Sequence, residues 1–192
     1  PEWSGINAQA IWPQGEGSLG DRMSRVVTRA LSNYPAAIVI GTDVPGLPAS
    51  HLNAARVALC TADAVVGPVD DGGFYLLGMR RCPAGVLDGV AWSTPDALAA
   101  TLRQLDAAAL TTALAPPWFD VDQPADLDRV RALAASGSLD APATAAVLNR
   151  LSRGRVSIVV PVLNEEGRIQ ECLTDLADAG AAEIIGVEGG ST

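Results

Sequence analysis

The chain has 192 residues, 48% of them apolar, and carries a net charge of −9 from 22 acidic and 13 basic residues. This length accommodates one full domain and part of a second, and the acidic excess argues against a protein that binds a nucleic acid backbone through a basic face. All 13 basic residues are arginine, which excludes enzymes that need a Schiff-base lysine or a P-loop lysine.

Apolar periodicity and turn residues divide the first 135 residues into helices and strands. In chain order they predict helix 18–32, strand 36–40, helix 48–61, strand 63–67, strand 73–79, a helix beginning at Ser93, strand 110–114 and helix 124–135. Ser18 can cap the first helix, and Pro48 suits the first turn of the second.

Two short acidic turns follow predicted strands. Gly41-Thr42-Asp43-Val44-Pro45-Gly46 comes directly after strand 36–40, and Gly67-Pro68-Val69-Asp70-Asp71-Gly72-Gly73 comes at the end of strand 63–67. Because a helix separates the two strands, we expect them to run parallel and to place both turns at one edge of the sheet, where ligands of open α/β sheets bind. Carboxylates there can hold a hard divalent cation and, through it, a diphosphate. The turns therefore favour nucleotide or nucleotide-sugar chemistry.

The composition changes near residue 136. A Ser-Gly-Ser segment, an alanine-rich helix over 141–151 and an arginine-rich stretch predict a linker over 136–155 between a domain at 1–135 and a module at 156–192. That module is predicted as strand 156–160, helix 165–179 and strand 183–187. Strand, helix and strand in so few residues cannot bury a core alone.

Cysteine and histidine give little support to other kinds of catalytic site. Cys60, Cys82 and Cys172 are odd in number and widely spaced, which favours buried free thiols in a reducing compartment. His51 is the only histidine, and we expect it at the surface. Without a signal peptide or an apolar run long enough to span a membrane, the chain is predicted to be cytoplasmic.

Four ordered motifs carry a family resemblance: Gln14–Met23, Gly41–Pro45, Gly67–Gly78 and Asp120–Leu127, with Trp92-Ser93-Thr94 before the last. With them, residues 12–135 resemble the DUF2064 group of glycosyltransferase-A-like proteins, which are related to the molybdenum-cofactor and phospholactate guanylyltransferases. Residues 156–192 resemble the start of a family 2 glycosyltransferase. In bacteria the two modules occur fused, in a group labelled selenodomain-associated or arsenosugar-biosynthesis glycosyltransferases.

The resemblance implies an α/β fold, a glycosyltransferase-A-like (nucleotide-diphospho-sugar transferase), Rossmann-related sheet with helices on both faces. The family begins with a strand and a basic phosphate-binding loop that have no counterpart here, so we expect a sheet without its first β-α unit. We also expect the second module to end before its Asp-x-Asp motif. An incomplete sheet has an exposed edge, which could self-associate or pair with strand 156–160.

The resemblance also implies the roles of individual residues. Asp43 and Asp122 would hold Mg²⁺ or Mn²⁺ across the diphosphate of the donor, and Asp71 would orient a substrate or act as the catalytic base. The other residues implied to contact substrate or nucleotide are Gly41, Thr42, Asp70, Gly72, Gly73, Trp92, Asn164, Glu165 and Glu188.

Local structural roles would explain several of the same residues. Asp43 could cap its own loop as an Asx turn, and Asp71 could belong to a tight hairpin. Asp120 and Asp122, two apart and therefore facing the same way in an extended segment, could supply negative charge to the next helix. Arg22 could approach a phosphate, although a solvated helix arginine is the simpler interpretation.

Three functions follow from these observations. Metal-dependent glycosyl transfer from a nucleotide sugar to a small acceptor is the leading hypothesis. Nucleotidyl transfer from an NTP to a phosphorylated acceptor would use the same aspartates. A non-catalytic nucleotide-binding or assembly module is the third, because the basic phosphate loop is absent. None of the three needs a nucleic acid partner or a membrane span.

Overall fold

A computed structural model describes residues 10–152, 157–162, 170, 173–174 and 183–188. The chain divides into two compact units, Pro1–Asp140 and Ala141–Thr192, and each is described by itself. No helix in the described ranges is both long and apolar enough to cross a membrane.

The first unit contains the predicted alternation of helices and strands. Its described elements are α1 (Leu19–Leu31), β1 (Ala37–Ile40), α2 (Ala49–Ala58), β2 (Ala64–Pro68), β3 (Phe74–Met79), α3 (Ala97–Ala107), β4 (Thr112–Leu114) and α4 (Asp126–Ala135). Each predicted element is confirmed, with small shifts at its ends. The largest shift is at α3, which begins at Ala97, because the backbone N–H of Leu98 donates to Gly72 O rather than to Thr94 O, as an earlier helix start would require.

The first helix begins with the predicted cap. Ser18 Oγ accepts a hydrogen bond from the backbone N–H of Asp21 at 3.2 Å, and Asp21 Oδ2 accepts one from the backbone N–H of Ser18 at 2.8 Å. This reciprocal capping box satisfies two backbone donors that the first turn would leave unpaired. Met23 and Val27, one turn apart, are buried against the sheet.

The four strands form one mixed sheet in the order β1-β3-β2-β4. β3 runs antiparallel to both β1 and β2, and β4 runs parallel to β2. β1, β2 and β4 therefore point the same way and end at the same edge of the sheet. The predicted common direction of the first two strands is confirmed. β3 lies between them, because it turns back from β2 and pairs with β1 along its other edge.

Helices cover both faces of this sheet, which confirms the predicted α/β class. One buried cluster joins α1 and α3 to the sheet through Met23, Val27, Ala64, Val66, Leu77, Met79 and Leu105. The other joins α2 to the opposite face through Ala55, Leu59, Val65, Val69, Tyr75 and Leu76. Because β2 and β3 are buried on both faces, each of their larger apolar side chains contributes about 1.5–3 kcal/mol of transfer free energy.

β1 is less covered than its neighbours. Ile38 and Ile40 are 37% and 46% exposed, and in the described sheet β1 pairs with β3 alone. β1 is thus an edge strand of the described sheet, and self-association through it stays a prediction.

The second unit contains α5 (Pro142–Ser152) and two strands, β5 (Ser157–Val162) and β6 (Glu183–Glu188). β5 and β6 pair in parallel, from Ser157 opposite Glu183 to Val162 opposite Glu188, so both predicted strands are confirmed. Within its own unit β5 pairs with β6, and pairing of strand 156–160 with strand 36–40 stays a prediction. The predicted helix 165–179 lies mostly outside the described residues.

Candidate functional site

Three loops meet at the edge of the sheet where β1, β2 and β4 end. The loop after β4 is bonded to the other two: the backbone N–H of Val121 donates to Asp43 O at 3.0 Å, and that of Trp118 donates to Pro68 O at 3.1 Å. The Trp118 indole N–H also donates to Pro45 O at 3.3 Å. These bonds bring together loops that are far apart in the sequence.

The first loop leaves β1 in contact with β3. The backbone N–H of Gly41 donates to Tyr75 O at 2.9 Å, which extends the β1–β3 ladder by one bond. A Cβ atom on Gly41 would lie 2.6 Å from Asp43 Oδ1, so any larger residue would displace the Asp43 carboxylate. Thr42 and Asp43 are exposed at the end of the strand.

The second loop is a tight hairpin between β2 and β3, as one interpretation of Asp71 predicts. Asp71 Oδ1 accepts a hydrogen bond from the backbone N–H of Gly73 at 2.8 Å. Gly72 has a φ of +92°, and a Cβ atom there would lie 2.0 Å from Pro95 O, so the turn requires glycine. The turn uses one oxygen of Asp71 and leaves Oδ2 to take another partner.

Asp70 has a different surrounding from Asp71. Its Oδ2 accepts a hydrogen bond from Arg129 Nη1 at 2.8 Å, in an ion pair whose side chains are 73% and 51% exposed. Such a pair contributes little to stability. It directs Asp70 toward α4 on the surface.

In the third loop, Asp126 holds the backbone around Asp122. Its Oδ2 accepts hydrogen bonds from the backbone N–H groups of Asp122 at 3.0 Å and Gln123 at 2.7 Å. Asp126 lies in the first turn of α4, so its carboxylate ties the segment around Asp122 to the start of that helix. The prediction that Asp120 and Asp122 face the same way agrees with the cluster described next.

Asp71, Asp120 and Asp122 each contribute one carboxylate oxygen to a group whose atoms lie within 4.8 Å of one another. Partial burial raises the pKa of Asp120, and the negative charges of Asp71, Asp122 and Asp43 raise it further. Asp43 is therefore near the group, although the three closest oxygens come from the other aspartates. The residues predicted as metal ligands, Asp43 and Asp122, thus stand at one site with two more carboxylates.

These aspartates line a cavity of about 600 Å³ that extends from the loops to α1. Seven of the predicted site residues line it: Gly41, Thr42, Asp43, Asp71, Gly73, Trp92 and Asp122. Its apolar wall includes Leu19, Val26 and the Phe74–Trp92 pair, whose rings meet edge to face at 6.0 Å. The cavity thus combines an acidic rim with an apolar and aromatic wall.

Several predicted site residues lie elsewhere. Asp70 and Gly72 do not line the cavity within the part of the chain that the structure describes. Asn164 and Glu165 lie outside the described residues, and Glu188 is the last residue of β6. Roles for these residues stay predictions.

Two residues, Arg22 and Asp120, belong to the cavity although the sequence favoured other roles for them. Arg22 is half-buried and lines the cavity, so the interpretation as a solvated helix arginine is wrong. The signal was its spacing, three residues after Leu19 and four before Val26, on the apolar face of α1. For Asp120 the signal was its position two residues before Asp122.

Two surface expectations are also wrong. His51 is half-buried, with its ring centroid 5.2 Å from that of Trp118 and its Nε2 3.3 Å from Pro117 O, because the loop after β4 folds over α2. Cys60 is exposed rather than buried, because Leu59 takes the inward position at the end of α2. Cys82 is half-buried, and Cys172 lies outside the described residues.

Comparisons with known proteins agree with this fold. The DUF2064 family model, "Uncharacterized protein conserved in bacteria", matches residues 3–94. The crystal structure of a "putative nucleotide-diphospho-sugar transferase" from Desulfovibrio desulfuricans G20 is 34% identical, with a TM-score of 0.53, over 57% of this chain and 49% of that chain. No curated protein sequence matches this chain at a significant level.

The present chain thus spans about half the length of the Desulfovibrio structure. The resemblance of the first module to DUF2064 and its glycosyltransferase-A-like fold are confirmed. The resemblance of residues 156–192 to a family 2 glycosyltransferase stays a prediction.

Proposed function

We propose that this protein transfers a glycosyl group from a nucleotide-sugar donor to a small acceptor, with Mg²⁺ or Mn²⁺ bound at the aspartate cluster. The observation that carries the proposal is the meeting of carboxylates from separate loops, Asp71 with Asp120 and Asp122, in one cavity. The similarity to a nucleotide-diphospho-sugar transferase fold supports the class of donor. A cytoplasmic location stays a prediction.

The chemistry of the cluster suits a hard divalent cation. Mg²⁺ and Mn²⁺ prefer oxygen ligands, and the cluster offers carboxylate oxygens within 4.8 Å of one another. The raised pKa of Asp120 has burial and the neighbouring carboxylates as its causes, and a cation would offset that repulsion. Asp122 and Asp120 are the proposed ligands, with Asp43 beside them, and Asp71 stands next to the metal. Bound there, the metal would neutralise charge on the leaving nucleoside diphosphate.

The protein's own residues would bind and orient the two substrates. Gly41 and Gly73, which line the cavity without side chains, allow a phosphate or sugar to approach the backbone closely. The Phe74–Trp92 wall would pack against the apolar face of a base or sugar ring.

In the transfer itself, the acceptor hydroxyl oxygen would form a bond to the anomeric carbon while the bond from that carbon to the diphosphate breaks. Asp71 would orient this hydroxyl and take its proton. Because Oδ1 of Asp71 is bonded to Gly73, Oδ2 is the oxygen that would accept the proton.

Metal-dependent binding of a nucleotide tests the proposal. Calorimetric titration of UDP, GDP and their sugars, with Mn²⁺ and then with EDTA, is expected to show binding that needs the metal. Asp122→Asn should weaken that binding by tenfold or more, since one charge-assisted ligand is lost. Asp106→Asn is the matched control, because Asp106 is exposed on α3 and does not line the cavity.

Product analysis then separates glycosyl from nucleotidyl transfer. Release of a nucleoside diphosphate from a nucleotide sugar supports the proposal, whereas release of pyrophosphate from an NTP supports the guanylyltransferase-like alternative. If no nucleotide binds with or without Mn²⁺, the proposal fails and a non-catalytic module is the better interpretation of this chain.

A further inference from the structure

α1 places one arginine among the apolar residues that line the cavity. Leu19, Arg22, Met23 and Val26 follow one another at intervals of three, one and three residues and all line it. Arg22 is the single basic residue in the described lining, which also contains four aspartates. Its position on the apolar face of the helix needs a physical explanation.

The two other arginines of α1 have partners within the protein. Arg25 donates to the backbone carbonyl of Glu16 at 2.9 Å and also to that of Gln14. The guanidinium of Arg29 lies 4.3 Å from the centre of the Trp12 ring. Both therefore serve the packing of the segment before α1.

Arg22 differs from both. Its Nε is buried and has no hydrogen-bond partner among the described residues. It also forms no ion pair there, although Asp43 and Asp71 line the same cavity. A buried donor without a partner is costly and rare in native proteins, so Arg22 has hydrogen-bonding capacity that the described residues leave unused.

We propose that Arg22 binds an oxyanion of the substrate, a phosphate-type group, at the α1 wall of the cavity. The guanidinium fork matches such a group with two parallel hydrogen bonds. Its positive charge offsets part of the repulsion that four aspartates exert on an anionic substrate. The inference rests on the proposed function, because the oxyanion belongs either to the diphosphate of the donor or to a separate anionic group of the acceptor.

The test compares Arg22→Gln with Arg103→Gln. Arg103 is exposed on α3 and does not line the cavity, so this control removes the same charge without touching the site. Inorganic phosphate is titrated in EDTA, and GDP or UDP is titrated with Mn²⁺. We expect Arg22→Gln to weaken binding of at least one probe by about tenfold to hundredfold, the usual effect of losing a charge-assisted hydrogen bond.

The two probes identify the source of the oxyanion. Weaker binding of the nucleoside diphosphate assigns Arg22 to the donor, whereas weaker binding of phosphate alone assigns it to the acceptor. Arg22→Lys keeps the charge but not the fork, and we expect it to restore binding only in part.

The proposal is overturned if Arg22→Gln binds both probes as Arg103→Gln does, or if the wild-type protein binds neither. Metal-free phosphate binding that depends on Arg22 would stand even if no nucleotide bound, so the two proposals can fail separately. A folding defect is checked by thermal unfolding. We expect Arg22→Gln to unfold at about the wild-type temperature, because the substitution breaks no ion pair among the described residues.

Discussion

Replacing Gly72 by alanine is expected to destabilise the hairpin that carries Asp71. Gly72 has a φ of +92°, and a Cβ atom there would lie 2.0 Å from Pro95 O and 2.7 Å from Pro95 C. Both are backbone atoms next to the start of α3, and Gly72 O accepts a hydrogen bond from the backbone N–H of Leu98 at 2.9 Å. The alanine must therefore push α3 away or distort the turn.

The chain offers a control that separates backbone strain from collision. Gly89 and Gly137 both have a φ of +71°, and a Cβ atom on either would meet nothing within 4 Å. Gly89→Ala should therefore cost only the left-handed strain, about 1–2 kcal/mol. Gly72→Ala should cost that strain and about 1–3 kcal/mol more for overpacking. The difference between the two variants measures the close approach of the hairpin to Pro95.

Urea unfolding followed by tryptophan fluorescence measures that difference. All four tryptophans lie in the first unit, so the signal reports the unit that contains the hairpin. If the slope of the transition is unchanged, the shift in midpoint gives the change in the free energy of unfolding. Equal shifts for Gly72→Ala and Gly89→Ala would refute the reasoning, because moving α3 away from the new Cβ atom would then cost no free energy of unfolding.

Three further changes test other parts of the structure. Asp120→Asn should raise the urea midpoint in EDTA at pH 7, since carboxylates whose pKa is raised by burial and by like charges oppose folding once ionised. The same substitution should abolish stabilisation by Mn²⁺. A lower midpoint in EDTA would contradict the proposed repulsion between Asp120 and its neighbouring carboxylates. Asp63→Asn should flatten the acid limb of the stability–pH curve. Hydrogen bonds from Arg81 and Thr111 hold the pKa of Asp63 well below its usual range. The stabilisation that the ionised Asp63 gives to the folded state is therefore complete above about pH 4 and is lost as the pH falls below that value. An acid limb that is the same in Asp63→Asn and the wild type would argue against this stabilisation. Gly20→Ala should destabilise by about 1–3 kcal/mol, although alanine normally favours a helix, because its Cβ would lie 2.6 Å from Leu87 O; a more stable variant in urea unfolding would show that α1 can move.

Local signals were sufficient to predict the elements of the first unit. The capping box at Ser18 and the Asp-Gly turn after Asp71 depend on residues two or three positions apart, and both lie where the sequence indicates. The position of β3 between β1 and β2 depends on pairing between distant segments, which no local pattern specifies. The same limit explains His51, whose burial comes from the loop after β4.

The candidate site was predictable in part for the same reason. Loops that follow parallel strands meet at one edge, so Asp43 and Asp71 could be assigned to a common site before any geometry was known, and the family resemblance added Asp122. Which carboxylates lie closest depends on how the loop after β4 folds, and that is a tertiary property. Arg22 required the cavity itself, because burial of one helix face depends on what packs beside it.

The bonds that fix the loop after β4 consist mainly of backbone atoms. Val121 and Trp118 reach the other loops through their main-chain N–H groups, and these groups are the same in every amino acid except proline. The carboxylates at Asp120 and Asp122 can therefore be exchanged without removing the bonds that assemble the edge. This makes the loop a suitable place to vary the metal ligands themselves, with libraries at positions 120 and 122 on an unchanged backbone.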